Sequence, residues 1–211
     1  MLVCRNLSVE RDGRLLFQPF SIQVAAGQVL TLEGPSGLGK STLLGALVGP
    51  LPGISLSGDV HLHGLTWSSV PVQPGRAQMV FQEPSLFPHL SIGANVALGL
   101  EGLSRDAKSR RVTELFRMLG LNYRLDHPAS ALSRGEAMRV QIARALAPEP
   151  QVLLLDEAFS ALDPSRRCAV RDLVFQWVEQ TESICIQVTH AGEDRPIGGV
   201  HQCLMPVSAA G

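Results

Sequence analysis

Short runs of alternating apolar and polar residues dominate the first 33 positions. Leu2-Val3, Leu7-Ser8-Val9 and Phe20 to Val24 predict short strands, with turns at Asp12-Gly13 and Ala26-Gly27. Val29 to Leu32 reads as a buried strand running into a glycine-rich loop. Lys40 to Val48 reads as a helix that stops near Gly49-Pro50. Asp59 to Leu62 predicts a further strand of the antiparallel part, and Gln78 to Phe81 a core strand ending at Gln82.

The pattern then changes. Pro84 to Ser91 is loop-like, and helices follow. In Ser104 to Leu119, the apolar residues Val112, Leu115, Phe116 and Leu119 fall at helical spacing on one face. Ser104 suits an N-cap and Gly120 a C-terminal stop. The opposite face carries Arg105, Lys108, Arg110 and Arg111, read as a solvated face with a membrane-surface or partner patch as the alternative. Val152 to Leu155 is an apolar strand. Asp163-Pro164 suits an N-cap with proline at N1, opening a helix with Val170, Leu173, Val174, Trp177 and Val178 on one face. Ile184 to Val188 is another buried strand, ending at Thr189-His190. This order predicts an α/β domain with a mainly parallel core sheet, helices on both its faces, an antiparallel β subdomain and a helical subdomain over about residues 84–135.

A chain of 211 residues fits one such domain, and 45% hydrophobic residues fill its core. The net charge of −1 offers no broad basic field for nucleic acid. Lys40 and Lys108 are the only lysines, so a compact ammonium is kept in the glycine loop against the arginine bias of the chain. No apolar run approaches the ~18 residues that cross a bilayer, and Met1 to Asp12 lacks the apolar core of a signal peptide. A cytosolic protein is expected, with any membrane role acting through a partner. Cys4, Cys168, Cys185 and Cys203 form no CxxC pair and read as ordinary buried thiols. His61 and His63 alternate in a strand, and a solvated face is favoured there over a metal site.

Gly34-Pro35-Ser36-Gly37-Leu38-Gly39-Lys40-Ser41-Thr42 matches G-x-x-x-x-G-K-[ST] between a strand and a helix. Its glycines let successive N–H groups turn inward on phosphate oxygens, and the helix N-terminus adds partial positive charge. Lys40 suits the β- and γ-phosphates, and the Ser41 hydroxyl suits Mg²⁺. Asp156-Glu157 ends an apolar strand at the sheet edge where such folds bind ligands. Asp156 is expected to hold Mg²⁺, and Glu157 to act as general base on a water. Ser133-Arg134-Gly135-Glu136 fits a capping box, and the same helix start also offers donors to an anion.

Taken in order, these segments resemble the ATP-binding subunit of an ATP-binding cassette (ABC) transporter over essentially the whole chain. The phosphate loop is Gly34 to Thr42 and the glutamine loop holds Gln82. The signature is Leu132 to Glu136, and the strand-end acids are Asp156-Glu157. Ser160-Ala161-Leu162-Asp163 and His190 complete the set. Gln141 to Leu146, after the signature, also looks like the family. The resemblance implies a head-to-tail pair of cassettes with two ATP molecules between them. It gives Ser133 and Gly135 the γ-phosphate held by the other copy. Gln82 senses Mg²⁺ and the γ-phosphate and couples them to the membrane subunit. His190 holds the γ-phosphate, and Asp163 works at the dimer contact, though an N-cap role explains Asp163 equally well.

Phe87 to Ser91 looks most like bacterial importer subunits, and the chain looks closest to small thiamine-type cassettes. The implied partners are transmembrane permease subunits, a second copy of the chain and, indirectly, a substrate-binding protein, with no nucleic acid. The implied location is peripheral, at the cytoplasmic face of the inner membrane. The alternatives are an exporter subunit or a soluble ABC-type ATPase acting on nucleic acid or ribosomes. The chain lacks the long coiled coil or tandem cassette usual in the latter. Three departures stand out. The signature reads LSRGE rather than LSGGQ, with Arg134 expected to offset the charge of Glu136. Arg11 stands where an adenine-stacking aromatic is expected, either stacking through its guanidinium or simply exposed on a turn. Ala191 replaces the acid that usually follows the histidine, and the short chain beyond it predicts an abbreviated final helix and edge strands.

Overall fold

The structure is a computed structural model and describes residues 1–67 and 76–207. The described residues build two five-stranded sheets. The first is antiparallel. β1 (Leu2–Arg11) pairs with β5 (Ile54–Leu62) on one side. On its other side lie β2 (Arg14–Leu15) and β3 (Phe20–Val24), and β6 (Leu65–Thr66) follows β5. The two short strands predicted at Leu2-Val3 and Leu7 to Val9 are therefore one strand. The sequence breaks it because Asn6 sits in a bulge with φ of 50°, where the register shifts against both neighbours. Gly58 faces that bulge with φ of 97°, and a Cβ there would lie 2.4 Å from the Asn6 carbonyl oxygen. His63 lies just past β5 in a turn, so it does not share a strand face with His61.

The second sheet is entirely parallel, in the order β10-β4-β9-β8-β7. Its strands are β4 (Val29–Glu33), β7 (Ala77–Val80), β8 (Val152–Asp156), β9 (Ile184–Val188) and β10 (Val200–Cys203). Every residue of β8 and β9 is buried, as expected of strands covered on both faces. Alternate residues serve different cores. Val152, Leu154, Ile184 and Ile186 join α1 (Lys40–Val48) and the antiparallel sheet. Leu153, Leu155 and Cys185 join the helices of the opposite face. Those helices are α2 (Ile92–Ala97), α3 (Arg105–Met118), α4 (Arg134–Leu146) and α5 (Pro164–Gln180).

Local chemistry sets the helix ends. Ser91, Ser104 and Ser133 each cap a helix through the side-chain oxygen, and Gly120 ends the α3 region at φ of 64°. Asp163 occupies the N-cap position of α5 without a side-chain capping bond. On α3, Val112, Leu115 and Phe116 are buried as the periodicity requires. Arg111 is not part of a solvated face: it donates to the Leu146 and Ala147 carbonyls at the end of α4 and pairs with Glu114 and Glu149. Cys4 and Cys185 are buried, whereas Cys168 and Cys203 are exposed, against the expectation of four buried thiols. After His190 come a single 3₁₀ turn and β10, whose pairing with β4 no alternation pattern announced.

Replacing Gly58 by Ala drives a Cβ into the Asn6 carbonyl at a left-handed φ, whereas Gly64, with φ of 82°, has open space around it. Gly58→Ala is expected to cost about 2–3 kcal/mol and Gly64→Ala about 1 kcal/mol in urea unfolding. Equal losses would contradict the bulge packing.

Candidate nucleotide site

Four neighbouring parallel strands deliver the candidate residues to one edge of the sheet. β4 runs into the phosphate loop, β9 into Thr189-His190, β8 into Asp156-Glu157 and β7 into Phe81-Gln82. This is the carboxyl edge, where open α/β sheets bind their ligands.

The loop Gly34 to Gly39 ends on Gly39, the N-cap of α1, with φ of 98°. The left-handed φ favours glycine there, and a Cβ would also press to 2.5 Å on a terminal methyl of Leu16, which would have to turn aside. Gly37 also has a positive φ. Lys40 is buried, and its ammonium donates to the Gly34 and Pro35 carbonyls at 2.8 and 2.9 Å. Desolvation lowers its pKa from the ordinary lysine value, while the charges of Glu157 and Asp156 act to raise it. The Ser41 hydroxyl donates to the Asp156 carboxylate at 2.9 Å, joining the loop helix to the end of β8. Burial pushes the Asp156 carboxyl above its usual range, opposed by the Ser41 hydrogen bond. Arg11 donates to the Thr42 hydroxyl at 2.9 Å, which places its guanidinium beside the start of α1. Pro35, Ser36 and Leu38 complete the loop.

Glu157 takes a left-handed φ of 47°, unusual for a residue with a side chain, and its N–H donates to the Val188 carbonyl. Such strained conformations cluster at functional sites. The turn aims its carboxylate between two groups. Gln82 donates to Oε2 at 2.9 Å, and His190 Nε2 lies 3.3 Å from Oε1. The structure thus brings Gln82, Glu157 and His190 together beside Asp156, Ser41 and Lys40.

Ser133 to Glu136 form a separate group at the start of α4. Among the described residues, no hydrogen bond joins them to Gly34–Thr42. The capping box is complete. Glu136 accepts from the Ser133 hydroxyl at 2.6 Å, the Ser133 amide at 3.0 Å and the Tyr123 phenol at 2.6 Å. These bonds, the Ser133 hydroxyl first, hold its carboxyl down at about 2. Arg134 does not offset Glu136. Its guanidinium pairs with Glu83, the residue after Gln82, across 51 positions of sequence. The capping box already satisfies Glu136, which leaves the arginine free to reach across. Ser133, Gly135, Asp163, Arg139 and Arg166 line a small cavity of about 150 Å³ between the starts of α4 and α5.

Two buried polar residues were given no role by the sequence: Gln141, which figured there only as the start of a family-like segment, and Asn95. Both are buried, at 1% and 0% exposure. Each falls on the apolar stripe of its helix, Gln141 between Met138 and Ile142 and Asn95 beside Ile92 and Val96. A polar residue on a core-facing stripe is the signal that marks them.

A strand–glycine loop–helix with two strand-end acids at the carboxyl edge of a parallel sheet defines a P-loop nucleotide-binding domain of α/β class. Residues 17–160 match the ABC transporter family. The chain is 41% identical over 177 residues to the spermidine/putrescine import ATP-binding protein PotA of Pseudomonas fluorescens (strain Pf0-1), covering 82% of this chain and 48% of that protein. It is 37% identical to the thiamine import ATP-binding protein ThiQ of Shigella flexneri serotype 5b, covering 83% and 75%. It therefore spans about half the length of the first relative and three-quarters of the second. The dimeric post-hydrolysis structure of the ATP-binding cassette MJ0796, bound to ADP and Pi, superposes with a TM-score of 0.83 at 25% identity. That match covers 97% of this chain and 94% of the other. The chain belongs to the ABC transporter family, and its fold is that of an ATP-binding cassette.

Because the Glu136 carboxyl sits below its unfolded value of 4.5, it contributes stability that is complete above about pH 4.5 and lost as the pH falls towards about 2. The melting-temperature advantage of the native chain over Glu136→Gln is expected to shrink across that window. An advantage independent of pH would contradict the ionised, triply bonded carboxylate.

Proposed function

We propose that this chain is the ATP-hydrolysing subunit of a membrane importer, working as a head-to-tail pair against transmembrane permease subunits on the cytoplasmic face of the inner membrane. The observation that carries the reading is the position of Glu157, held between Gln82 and His190 beside a phosphate loop already tied to the same strand end by Ser41. The names of PotA and ThiQ as import ATP-binding proteins favour import over export or a soluble role. No helix among the described residues is long and apolar enough to cross a membrane.

Each residue has a physical task in this reading. Gly34, Pro35, Ser36, Gly37, Leu38 and Gly39 wrap the phosphates with backbone N–H groups. The Lys40 ammonium exchanges the Gly34 and Pro35 carbonyls for β- and γ-phosphate oxygens, a gain for a desolvated cation. Thr42 closes the loop on its helix side. Glu157 accepts a proton from the attacking water, while Gln82 and His190 fix the direction of its carboxylate. Transfer then needs little more than positioning and charge stabilisation.

Mg²⁺ fits the oxygen donors present. Ser41 and Asp156 stand within a hydrogen bond of each other, and the carboxyl that burial disfavours as an anion is the one a cation would keep ionised. These two residues would hold the ion, with Gln82 beside them. When bound, it neutralises phosphate charge. The helices over about residues 84–135 act as the subdomain that meets the permease. Ser133, Arg134, Gly135 and Glu136 face the nucleotide of the second copy, and the uncapped Asp163 carboxylate is available at the same contact.

Glu157→Gln is expected to lower turnover at least about a hundredfold and to trap a dimer with Mg·ATP but not with ADP, read by light scattering. A variant that keeps native turnover, or one that stays monomeric while ATP is bound, would overturn this reading.

A further inference from the structure

Gln82 works from a poorly anchored segment. Phe81, Gln82, Glu83 and Ser85 are all exposed, and Pro84 is half-buried, so apolar packing cannot fix where the Gln82 side chain points. Apart from the bond from Gln82 to Glu157, the side-chain bonds of the segment run to one helix. The Ser85 N–H donates to the Gln141 carboxamide oxygen at 2.6 Å. The other end of the same carboxamide donates to the Phe81 carbonyl at 3.3 Å. One buried side chain on α4 therefore closes both ends of the span that carries Gln82. Arg134, on the first turn of that helix, holds Glu83 in the middle. Arg144, one turn beyond Gln141, donates to the Ser85 hydroxyl at 3.3 Å. The next stretch is held separately, by Asn95 bonding to Phe87 and Ser91.

We propose that Gln141 is a positioning residue for hydrolysis, acting through Gln82 by clamping Phe81 and Ser85 so that the Gln82 carboxamide meets Glu157. This inference rests on the hydrolytic reading above. The two exposed partners Arg134 and Glu83, at 58% and 72%, lie in water and contribute little to the hold. Gln141 is 1% exposed, so its end of the two part-buried bonds is shielded from competing water. Its amide geometry supplies one donor and one acceptor on opposite sides, which no aliphatic residue and no single-function polar residue reproduces.

Gln141→Met keeps the side-chain length, suits the apolar surroundings of that helix face and removes both bonds. It is expected to lower kcat about tenfold with the KM for ATP within about twofold, because the phosphate loop is untouched while the base is left misdirected. In a Gln82→Ala background the same substitution is expected to cause no further loss, since the clamped group is already gone. A folded Gln141→Met chain with native kcat, or an equal loss in both backgrounds, would overturn the proposal. Residue-resolved hydrogen exchange on the native chain supplies a readout that does not depend on the variant folding. The Ser85 amide is expected to be protected, and free exchange there would equally overturn it. An inert native chain would instead overturn the hydrolytic reading and take this inference with it, an outcome visible in the native protein alone.

Discussion

Parallel pairing of β4 with β9, β9 with β8 and β8 with β7 fixes where the polar chemistry of this chain must go. Both faces of that sheet are covered, so β8 and β9 are buried throughout and mostly apolar, the interior Gln187 is bonded to Thr31 of β4, and the reactive polar groups collect at the strand ends. Parallel strands place all four carboxyl ends on one edge. A glycine loop, a histidine, two acids and a glutamine, spread over more than 150 positions of sequence, therefore meet within hydrogen-bonding distance.

The site is also wired to itself. Lys40 spends its donors on the loop carbonyls, and Gln82 and His190 both spend theirs on Glu157. The Ser133 hydroxyl is spent on Glu136. Each of these groups already has a partner within the fold, so none is held as an unsatisfied donor. No buried side-chain nitrogen or oxygen among the described residues lacks a partner. The LSRGE signature follows the same logic. Glu136 brings a negative charge to a helix start, where the macrodipole and three donors hold it ionised. Arg134 is thereby released to reach the glutamine loop.

Much of this was legible in the sequence because it is local. The phosphate loop, the strand ends and the serine caps follow from short spacings, and the α3 stripe follows from its period. What escaped depends on distant partners. The bulge at Asn6 needs Gly58 across the sheet, and β10 is recognisable only by its pairing with β4. Arg111 looked solvated because its acceptors are the carbonyls of another helix. Arg134 was matched to the nearest acid along the chain, yet its partner lies across the fold. Gln141 and Asn95 left a trace, a polar residue on an apolar stripe, but the trace names no partner.

The central claim is that one nucleotide is worked on by the phosphate loop of one copy and the signature of another. Mixing two inactive chains tests it most directly. Lys40→Ala disables a loop and leaves the signature intact, and Gly135→Asp does the reverse. A mixed head-to-tail pair contains one whole site, so the mixture is predicted to recover ATP turnover that neither chain shows alone. A mixture as inactive as its components, with pairing confirmed by light scattering, would contradict the shared site.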